Sequence, residues 1–374
     1  MGGPQRVTFL VNSLCPPNGV VSASVALARQ WRDEGAFVTF ICHGDASKEL
    51  REEFRPILLR PWARFTTEVA DYAHSKTLLK GPRRFLTPLI AMAHRRRSRR
   101  ALDSLSRSTL VVAAGMECLE YLGPGVRSRA GLVAVQVHTS YDGLSDDQRA
   151  RLVRCCELAD LVTCLTEADA IRTRDVARID VVAIPNACAV ERHRQENPQR
   201  RVVYLGRLSP EKQVDHALRA FARAAARDWR FDVYGNGPCE DELRGLAAAL
   251  DADIRIRGVV DRPEDAFEGA SIHVQTSLFE GFGMAIAEAS RCGVPTVAYL
   301  CSPGVELTLG RNGVGVPAQD EFALSDALRD MMTDDDLRVR LGEAVCQDER
   351  FDASVVAGLW RTAWNNRARC RVSR

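Results

Sequence analysis

The sequence predicts an α/β protein built from two Rossmann-like domains that face each other across a cleft. Three observations support this prediction. The chain has 374 residues, whereas single hydrophobic cores stop growing at about 250–300 residues. Short apolar runs alternate with segments of helical period in both halves, and such alternation demands parallel sheets that are covered on both faces. A polar segment at 186–200 separates the two halves.

The first domain, 1–185, opens with a strand, a loop, a helix and a second strand. Arg6–Val11 (RVTFLV) is short, apolar and β-branched, and Val20–Glu34 carries apolar residues at helical spacing. Gly35 ends this helix, and Ala36–Cys42 (AFVTFIC) is the next strand. This βαβ pattern predicts a parallel sheet. Further strands are predicted at Thr109–Ala113, Leu132–Val137, Leu161–Cys164 and Val181–Ile184.

The second domain, 201–349, repeats the same alternation after the linker. Its strands are predicted at Val202–Leu205, Arg230–Tyr234, Ile254–Arg257, Ser271–Gln275 and Thr296–Ala298. Its helices are predicted at about Glu211–Arg227, Glu240–Leu250, Met284–Arg291 and Glu321–Met332. The stretch Arg350–Arg369 also has a helical pattern, with Trp360 and Trp364 on one face. Ligands of such folds bind beyond the carboxyl ends of the strands, so we expect the functional site there.

Composition narrows the classes of function. The chain carries 51 basic and 49 acidic residues, a net charge of +2, which argues against nucleic acid as a partner bound through bulk charge. The 12 cysteines show no CxxC spacing, and we expect reduced, buried thiols in a cytoplasmic protein. No apolar run reaches the roughly 18 residues that span a bilayer. We therefore expect a protein that is soluble or at most attached to the surface of a membrane.

The loop Gly206-Arg207-Leu208-Ser209-Pro210-Glu211-Lys212 follows a predicted strand and opens a predicted helix. Gly206 would let the backbone approach a ligand. Arg207 and Lys212 would place two cations at a helix N-terminus, where backbone N–H groups also point outward, and this combination suits a diphosphate. Alternatively, Ser209-Pro210-Glu211 is only a helix start and the two cations are solvated.

A second loop, Glu280-Gly281-Phe282-Gly283-Met284, follows the strand Ser271–Gln275 and runs into a helix that contains Glu288. The two glycines would expose backbone N–H groups. Carboxylates accept hydrogen bonds from sugar hydroxyls, so Glu280 and Glu288 could hold two polyol groups. Alternatively, Glu288 is a surface residue of the helix. It lies among Ala285, Ile286, Ala287 and Ala289, and a carboxylate in so apolar a segment needs a partner.

His138 follows the predicted strand Leu132–Val137. It is either a packed core residue or a functional group at the first domain's side of the cleft. The residues alone do not decide between these alternatives.

Taken together, the motifs resemble glycosyltransferase family 4, whose members have the GT-B fold and retain the anomeric configuration of the sugar. The motifs are VVYLGRLSPEK, EGFGMAIAE with its Glu280-x7-Glu288 spacing, CGVPTVA and GRNGVGVP. They are supported by GLVAVQVHT and ADLVTCLTEADA in the first domain and by IPNA at its junction with the linker. LTEADA, IPNA and CSPGVE are most similar to the subgroup of teichoic-acid α-glucosyltransferases. The resemblance covers nearly the whole chain and is strongest from Arg201 to Pro317.

The resemblance implies a role for each matching residue. Arg207 and Lys212 would neutralise the diphosphate of a nucleotide-sugar donor, Glu280 would bind a sugar hydroxyl, and Glu288 the ribose. His138 would face the anomeric centre. The remaining donor-binding positions are Gly19, Gly206, Gly281, Phe282, Gly283, Met284 and Val259; Gly19 matches the family's double glycine only in part, because the pair reads Asn18-Gly19. The segment 350–374 would complete the first domain.

The resulting hypothesis is transfer of a sugar, with retention, to the hydroxyl of an acceptor bound by the first domain, with no cofactor or metal. The acceptor could be a cell-envelope polymer, a lipid or a small natural product. One alternative is a non-catalytic sugar-nucleotide-binding subunit, against which the retained Arg207, Lys212, Glu280 and Glu288 weigh. A nicotinamide-dependent dehydrogenase is the other, but no GxGxxG follows the first strand.

Two further patterns have alternative interpretations. Asp251-Ala252-Asp253 has the DxD form of a metal-binding motif, but it lies between a helix and a strand and is better interpreted as a polar turn. The stretch Lys76–Leu102 holds nine basic residues and no acid. Within it, Arg83–Arg100 is either a helix that meets an anionic surface or a solvated helix packed on the domain. The anionic surface would be the inner face of a membrane or a polyanionic acceptor.

Overall fold

The structure is a computed structural model, and it describes residues 3–15, 18–59, 96–193, 195, 198–224 and 228–372. The chain divides into two compact units. Unit 1 comprises Met1–Ala187 and Ala353–Arg374, and unit 2 comprises Cys188–Asp352. Each unit is described by itself.

Unit 1 contains a seven-stranded parallel sheet of order β3-β2-β1-β4-β5-β6-β7. The strands are β1 (Arg6–Val11), β2 (Phe37–Cys42), β3 (Ile57–Leu58), β4 (Thr109–Ala113), β5 (Leu132–Val137), β6 (Leu161–Cys164) and β7 (Asp180–Ala183). Every described pair is parallel, with Arg6 opposite Phe37 on one side of β1 and Thr109 on the other. The order reverses between β1 and β4, which makes a switch point at their carboxyl ends.

Helices cover both faces of this sheet. They are α1 (Gly19–Asp33), α2 (Lys48–Phe54), α3 (Met116–Glu120), α4 (Gly125–Arg129), α5 (Asp146–Leu158), α6 (Glu167–Arg174) and the C-terminal α14 (Ala353–Val372), with helical residues also at 96–103 and a 3-10 turn at Tyr141–Gly143. Side chains alternate along each strand. Phe9 and Val11 therefore pack in the core beneath α1 and α14, whereas Leu10 packs in the core on the opposite face.

The helix α14 returns the end of the chain to unit 1. Trp360 is fully buried in the same core as Trp31 of α1, and Trp364 packs against that core. The backbone makes room for Trp364 at Gly131, where a Cβ would lie 2.6 Å from the indole ring. The C-terminal helix is therefore an integral part of the unit 1 core.

Unit 2 contains a six-stranded parallel sheet of order β10-β9-β8-β11-β12-β13. The strands are β8 (Arg201–Leu205), β9 (Arg230–Tyr234), β10 (Asp253–Gly258), β11 (Ile272–Gln275), β12 (Thr296–Tyr299) and β13 (Gly313–Val316). The helices are α7 (Val214–Ala224), α8 (Glu240–Ala249), α9 (Pro263–Phe267), α10 (Met284–Arg291), α11 (Pro303–Leu309), α12 (Glu321–Thr333) and α13 (Asp335–Cys346), with a 3-10 turn at Pro210–Lys212. The order reverses between β8 and β11.

The predicted two-part α/β fold is confirmed, and one local prediction is wrong. The sequence predicts a continuous helix over Glu211–Arg227, but the chain makes a 3-10 turn at Pro210–Lys212 and α7 begins only at Val214. Gln213 between them is left-handed, with φ 45°. This break places Lys212 before the long helix and not at its N-terminus.

The DxD pattern, the basic stretch and the apolar segments of the sequence can be compared with the structure. Asp253 of the DxD pattern pairs with Arg255 on β10 at 2.8 Å, and no group of residues in the described ranges could hold a metal ion. Of the basic stretch, Lys76–Arg95 lies outside the described residues. In its described remainder, Arg97 donates from Nη1 to the Leu58 carbonyl at 3.1 Å. None of the described helices is long and apolar enough to cross a membrane.

The buried indole yields a first stability test. We expect Trp360→Ala to lower the free energy of unfolding by about 3–5 kcal/mol, because an emptied core aromatic site loses its contacts and leaves a cavity. Urea unfolding followed by circular dichroism measures the change. Leu359→Ala, on the same helix at 40% exposure, should change the stability by less than about 1 kcal/mol. Equal effects of the two substitutions would contradict the assignment of Trp360 to the core.

Candidate donor site in unit 2

Two loops meet at the switch point of the unit 2 sheet. One follows β8 and contains Gly206 to Lys212, and the other follows β11 and contains Thr276 to Gly283. The strands β8 and β11 are parallel neighbours although far apart in the sequence, with Val203 opposite His273. The motifs that were singled out from the sequence therefore lie next to each other in space.

Glycines bring the β8 loop close to the end of β9. Gly206 donates its N–H to the Tyr234 carbonyl at 3.0 Å. Gly235 has φ +139°, and a Cβ there would lie 1.8 Å from the Gly206 carbonyl oxygen. Gly206 itself lies against Tyr204, whose hydroxyl oxygen would be 2.8 Å from an added Cβ. The backbone of this loop is thus fixed by contacts that side chains would prevent.

Lys212 lies in the 3-10 turn that begins at Pro210. Its N–H donates to the Ser209 carbonyl at 2.9 Å, and the Ser209 hydroxyl donates to the Glu211 carboxylate at 2.6 Å. This hydrogen bond lowers the pKa of Glu211. The turn orients Lys212 towards the second loop, whereas Arg207 is exposed and forms no ion pair with any residue that the structure describes.

An ion pair and two hydrogen bonds join the loops. Lys212 Nζ lies 2.6 Å from Glu280 Oε2, with both side chains about one-fifth exposed. The Thr276 hydroxyl donates to the Lys212 carbonyl at 3.0 Å, and the Leu278 N–H donates to the Glu211 carbonyl at 2.8 Å. The structure therefore brings Lys212 and Glu280 together, as one cation and one carboxylate at the edge of the sheet.

The remainder of the β11 loop packs against α11. Gly283, at φ +88°, is the N-cap of α10. A Cβ on Gly304 of α11 would lie 2.0 Å from the Gly281 carbonyl oxygen, and the Thr308 hydroxyl donates to the Phe282 carbonyl at 2.6 Å. The Phe282 side chain is buried, 5.1 Å from the ring of Phe351. Any contact of Phe282 with a ligand would therefore involve its backbone.

Glu288 lies one turn further along α10 than Met284, the first residue of that helix, and its side chain is half-buried. Its carboxyl group has no hydrogen-bond or ion-pair partner among the residues that the structure describes. The sequence predicts a partner for this group, and none of the described residues provides one. Burial raises the pKa of the Glu288 carboxyl to about 8, and the Glu264 carboxylate adds to the rise. The group is therefore mostly protonated at neutral pH.

Two other positions predicted to bind the donor belong to neither of these two loops. Val259 follows the edge strand β10 and is 53% exposed, which presents an apolar side chain at the same carboxyl edge of the sheet. Gly19 is the first residue of α1 in unit 1, where the Asn18 side chain caps the helix by accepting from Val20 and Val21. Asn18 thus has a capping role in the structure.

His138 directly follows β5 in unit 1. Neither ring nitrogen is exposed to solvent, and neither has a hydrogen-bond partner in the described part of the chain. Burial lowers the pKa of His138 to about 4, so the imidazole is neutral at pH 7. Two unsatisfied ring nitrogens at a strand end are unusual for a packed core histidine.

Asp169 of α6 fixes the loop that carries His138, a role that sequence reasoning missed. This buried carboxylate accepts from the Ser140 hydroxyl at 2.9 Å, from the Tyr141 N–H at 2.8 Å and from the Thr166 hydroxyl at 2.6 Å. Thr166 also caps α6. The only signal in the sequence is a Thr-x-x-Asp helix start, which is equally typical of an ordinary cap.

Residues 199–334 match the family described as glycosyl transferases group 1. The match covers most of unit 2. The match includes both loops of the switch point, with the ion pair of Lys212 and Glu280. The whole chain has the GT-B fold class, since it resembles the pneumococcal O-GlcNAc transferase GtfA, solved in complex with UDP and GlcNAc. That likeness has a TM-score of 0.73, 14% identity and coverage of 97% of this chain and 99% of that chain.

Two curated relatives match part of the chain. An exopolysaccharide phosphotransferase of Streptomyces coelicolor is 33% identical over 48% of this chain and 20% of its own length. The poly(glycerol-phosphate) alpha-glucosyltransferase of Bacillus subtilis is 26% identical over 46% of this chain and 27% of its own length. The chain thus spans about a quarter or less of either relative.

The close contact between the β11 loop and α11 can be tested with a pair of glycine substitutions. We expect Gly304→Ala to lower the melting temperature, because its Cβ would displace the backbone at Gly281. The control is Gly245→Ala in α8, where a Cβ would meet nothing within 4 Å and should stabilise by about 0.5–1 kcal/mol. Differential scanning calorimetry compares the two variants. A Gly304→Ala protein as stable as the wild type would show that the loop is not held by this contact.

Proposed function

We propose that the protein is a retaining glycosyltransferase of family 4 that transfers a hexosyl group from a nucleotide-diphosphate-sugar to an acceptor hydroxyl. The observation that carries the proposal is the ion pair of Lys212 and Glu280 at the switch point of unit 2. A cation and a carboxylate held 2.6 Å apart suit a ligand that presents a diphosphate and a hydroxylated sugar side by side.

Arg207 and Lys212 supply the positive charge for the diphosphate. Arg207 is exposed, without a partner in the described chain, and Lys212 is held by the ion pair. As the bond to the sugar breaks, negative charge grows on the departing phosphate, and fixed cations stabilise it. Backbone N–H groups from Gly281 to Met284 add further donors. This part of the mechanism requires no metal.

Glu280 and Glu288 bind hydroxyl groups, on the sugar and on the ribose respectively. The half-buried Glu288 carboxylate has no hydrogen-bond donor among the described residues, and the hydroxyls of a bound ribose would supply donors. Val259 offers its exposed side chain to the base, and Gly19 lets the backbone of unit 1 approach the donor. UDP is the first nucleotide to test, because GtfA was solved with UDP.

His138 acts as a neutral hydrogen-bonding group. Its lowered pKa keeps the imidazole uncharged, and its two unsatisfied nitrogens can accept from and donate to a sugar. Asp169 keeps the loop of His138 in place. Retention and an α-linked product are supported by the name of the Bacillus relative, an alpha-glucosyltransferase. The acceptor binds to unit 1 in this proposal.

Donor turnover should depend on the ion pair. We expect Lys212→Ala and Glu280→Ala each to lower the rate of UDP release from UDP-glucose, or from the best donor of a panel, by about 100-fold, as for other lost electrostatic stabilisers. Arg244→Ala, which removes an exposed cation of α8 paired with Glu240, is the control and should keep the wild-type rate. Near wild-type turnover by both site variants would refute the assignment.

Donor binding should also depend on pH through Glu288. The folded pKa of about 8 lies above the usual value near 4.3, so the free protein is protonated at pH 7. A ribose diol donates to the ionised form. Binding of UDP-glucose should therefore release close to one proton at pH 7, and its affinity should rise with pH until about pH 8.

Calorimetric titrations in two buffers of different ionisation enthalpy count the protons released. UDP-glucose is the right probe because its esterified diphosphate does not titrate near neutral pH, unlike the terminal phosphate of UDP. In Glu288→Gln the proton release should vanish and the affinity should fall. If this variant released as many protons as the wild type, another group would be the source.

A further inference from the structure

Four polar side chains converge at the other switch point, in unit 1. Asn12 directly follows β1, His43 directly follows β2, and Glu117 and Tyr121 lie in and just after the short helix that follows β4. The strands β2, β1 and β4 are neighbours, and the strand order reverses between β1 and β4. Ligands of doubly wound sheets bind at such a position.

Asn12 organises this cluster through both ends of its amide. Its Nδ2 donates to Glu117 Oε1 at 2.5 Å, and its Oδ1 accepts from the Tyr121 hydroxyl at 2.9 Å. The amide thus fixes a carboxylate and a phenol relative to each other, although they come from a different loop of the sheet. Asn12 itself is exposed and the other three residues are half-buried, so the cluster is accessible from solvent.

Two aromatic rings stack face to face beside the carboxylate. The imidazole of His43 stacks on the phenol of Tyr121, with ring centroids 3.6 Å apart and an angle of 9° between the planes. Each ring covers one face of the other, so the stack fixes the plane of Tyr121 and the position of its hydroxyl beside the carboxylate. Aromatic rings next to polar groups are a typical lining of a small-molecule site.

Glu117 determines the charge of the ligand. Its carboxylate has no ion-pair partner among the described residues, and Oε1 has the Asn12 amide as its protein donor. Gly115 precedes it with φ +144°, and a Cβ there would lie 3.1 Å from Glu117 Oε1. An uncompensated carboxylate accepts from hydroxyls and repels phosphates or carboxylates. The group that it meets is therefore not an anion, and hydroxyls are donors that suit the carboxylate, the amide and the phenol alike.

We propose that Asn12, His43, Glu117 and Tyr121 bind the hydroxyl-bearing end of a neutral polyol, a sugar or a sugar alcohol, as the acceptor. The role of this polyol as an acceptor rests on the proposed function. The site and the class of its ligand rest on the geometry of the four side chains alone. Glu117 accepts from two neighbouring hydroxyls, the stack on His43 fixes the hydroxyl of Tyr121 beside them, and Asn12 holds Glu117 and Tyr121 in register.

Direct binding of polyols tests the site without turnover. Saturation-transfer NMR would measure the binding of glycerol, ribitol, glucose and myo-inositol to the full chain in the presence of saturating UDP. We expect at least one of them to bind to the wild type. We expect its affinity to fall by about tenfold or more in Glu117→Gln, since a hydrogen bond to a charged group is lost. Tyr121→Phe, which removes one oxygen and keeps the ring, should also weaken binding.

The matched control is Glu120→Gln. Glu120 lies on the same short helix but faces Arg151, 3.5 Å away, and its substitution should leave the polyol affinity unchanged. Thermal melts show whether each variant is folded. If Glu117→Gln does not fold, the polyol affinity of Tyr121→Phe decides whether the proposal holds. The proposal is wrong if no polyol of the panel binds, or if the affinity is the same in wild type, Glu117→Gln and Tyr121→Phe. The binding measurement consumes no donor. Its result can therefore be interpreted even if the protein does not catalyse the proposed transfer reaction.

Discussion

The ion pair of Lys212 and Glu280 is the interaction on which the donor site depends. The loops that carry these residues meet only because the strand order reverses between β8 and β11, and the 2.6 Å contact ties them at their tips. A partly buried pair is costly to break on one side, since the remaining charge loses its counterion. Under the proposed function, the donor diphosphate takes over as counterion of Lys212. Glu280 is then free to accept a hydrogen bond from a sugar hydroxyl. Lys212 therefore has a counterion both before and after the donor binds.

The two switch points are stabilised by different chemistry. In unit 2 a cation and a carboxylate join the loops, with glycines allowing the backbones to approach. In unit 1 an uncharged amide, Asn12, joins the loops after β1 and β4, and a buried carboxylate, Asp169, holds the loop after β5 through hydrogen bonds from neutral donors. Opposite charges are thus paired where a diphosphate would bind. In unit 1, carboxylates accept from uncharged donors where an uncharged substrate would bind.

The sequence was sufficient for eleven of the thirteen described strands and for the loops that follow them, but it missed β3 and β13. Buried parallel strands are continuous apolar runs, and polar or glycine-rich segments after them mark the carboxyl edge. It was not sufficient where tertiary contacts decide the backbone. Gln213 has no intrinsic preference that announces its left-handed conformation, and β3 has only two residues. The fit of Gly235 against Gly206 depends on loops that are distant in sequence, and Asp169 has the pattern of a common cap. The pairing of Lys212 with Glu280 likewise follows from the strand order, which single-sequence patterns do not specify.

The discontinuous composition of unit 1 has a consequence for synthesis on the ribosome. Its core contains Trp360 and Val356 from α14, so an emerging chain that has reached residue 187 still lacks part of the interior of unit 1. Unit 2, by contrast, is contiguous and can close as soon as it has been made. At about 5–20 residues per second, synthesis of unit 2 takes on the order of ten seconds. During that interval the groove beside α1 that later receives α14 is an open apolar surface, which chaperones can bind and which can also aggregate.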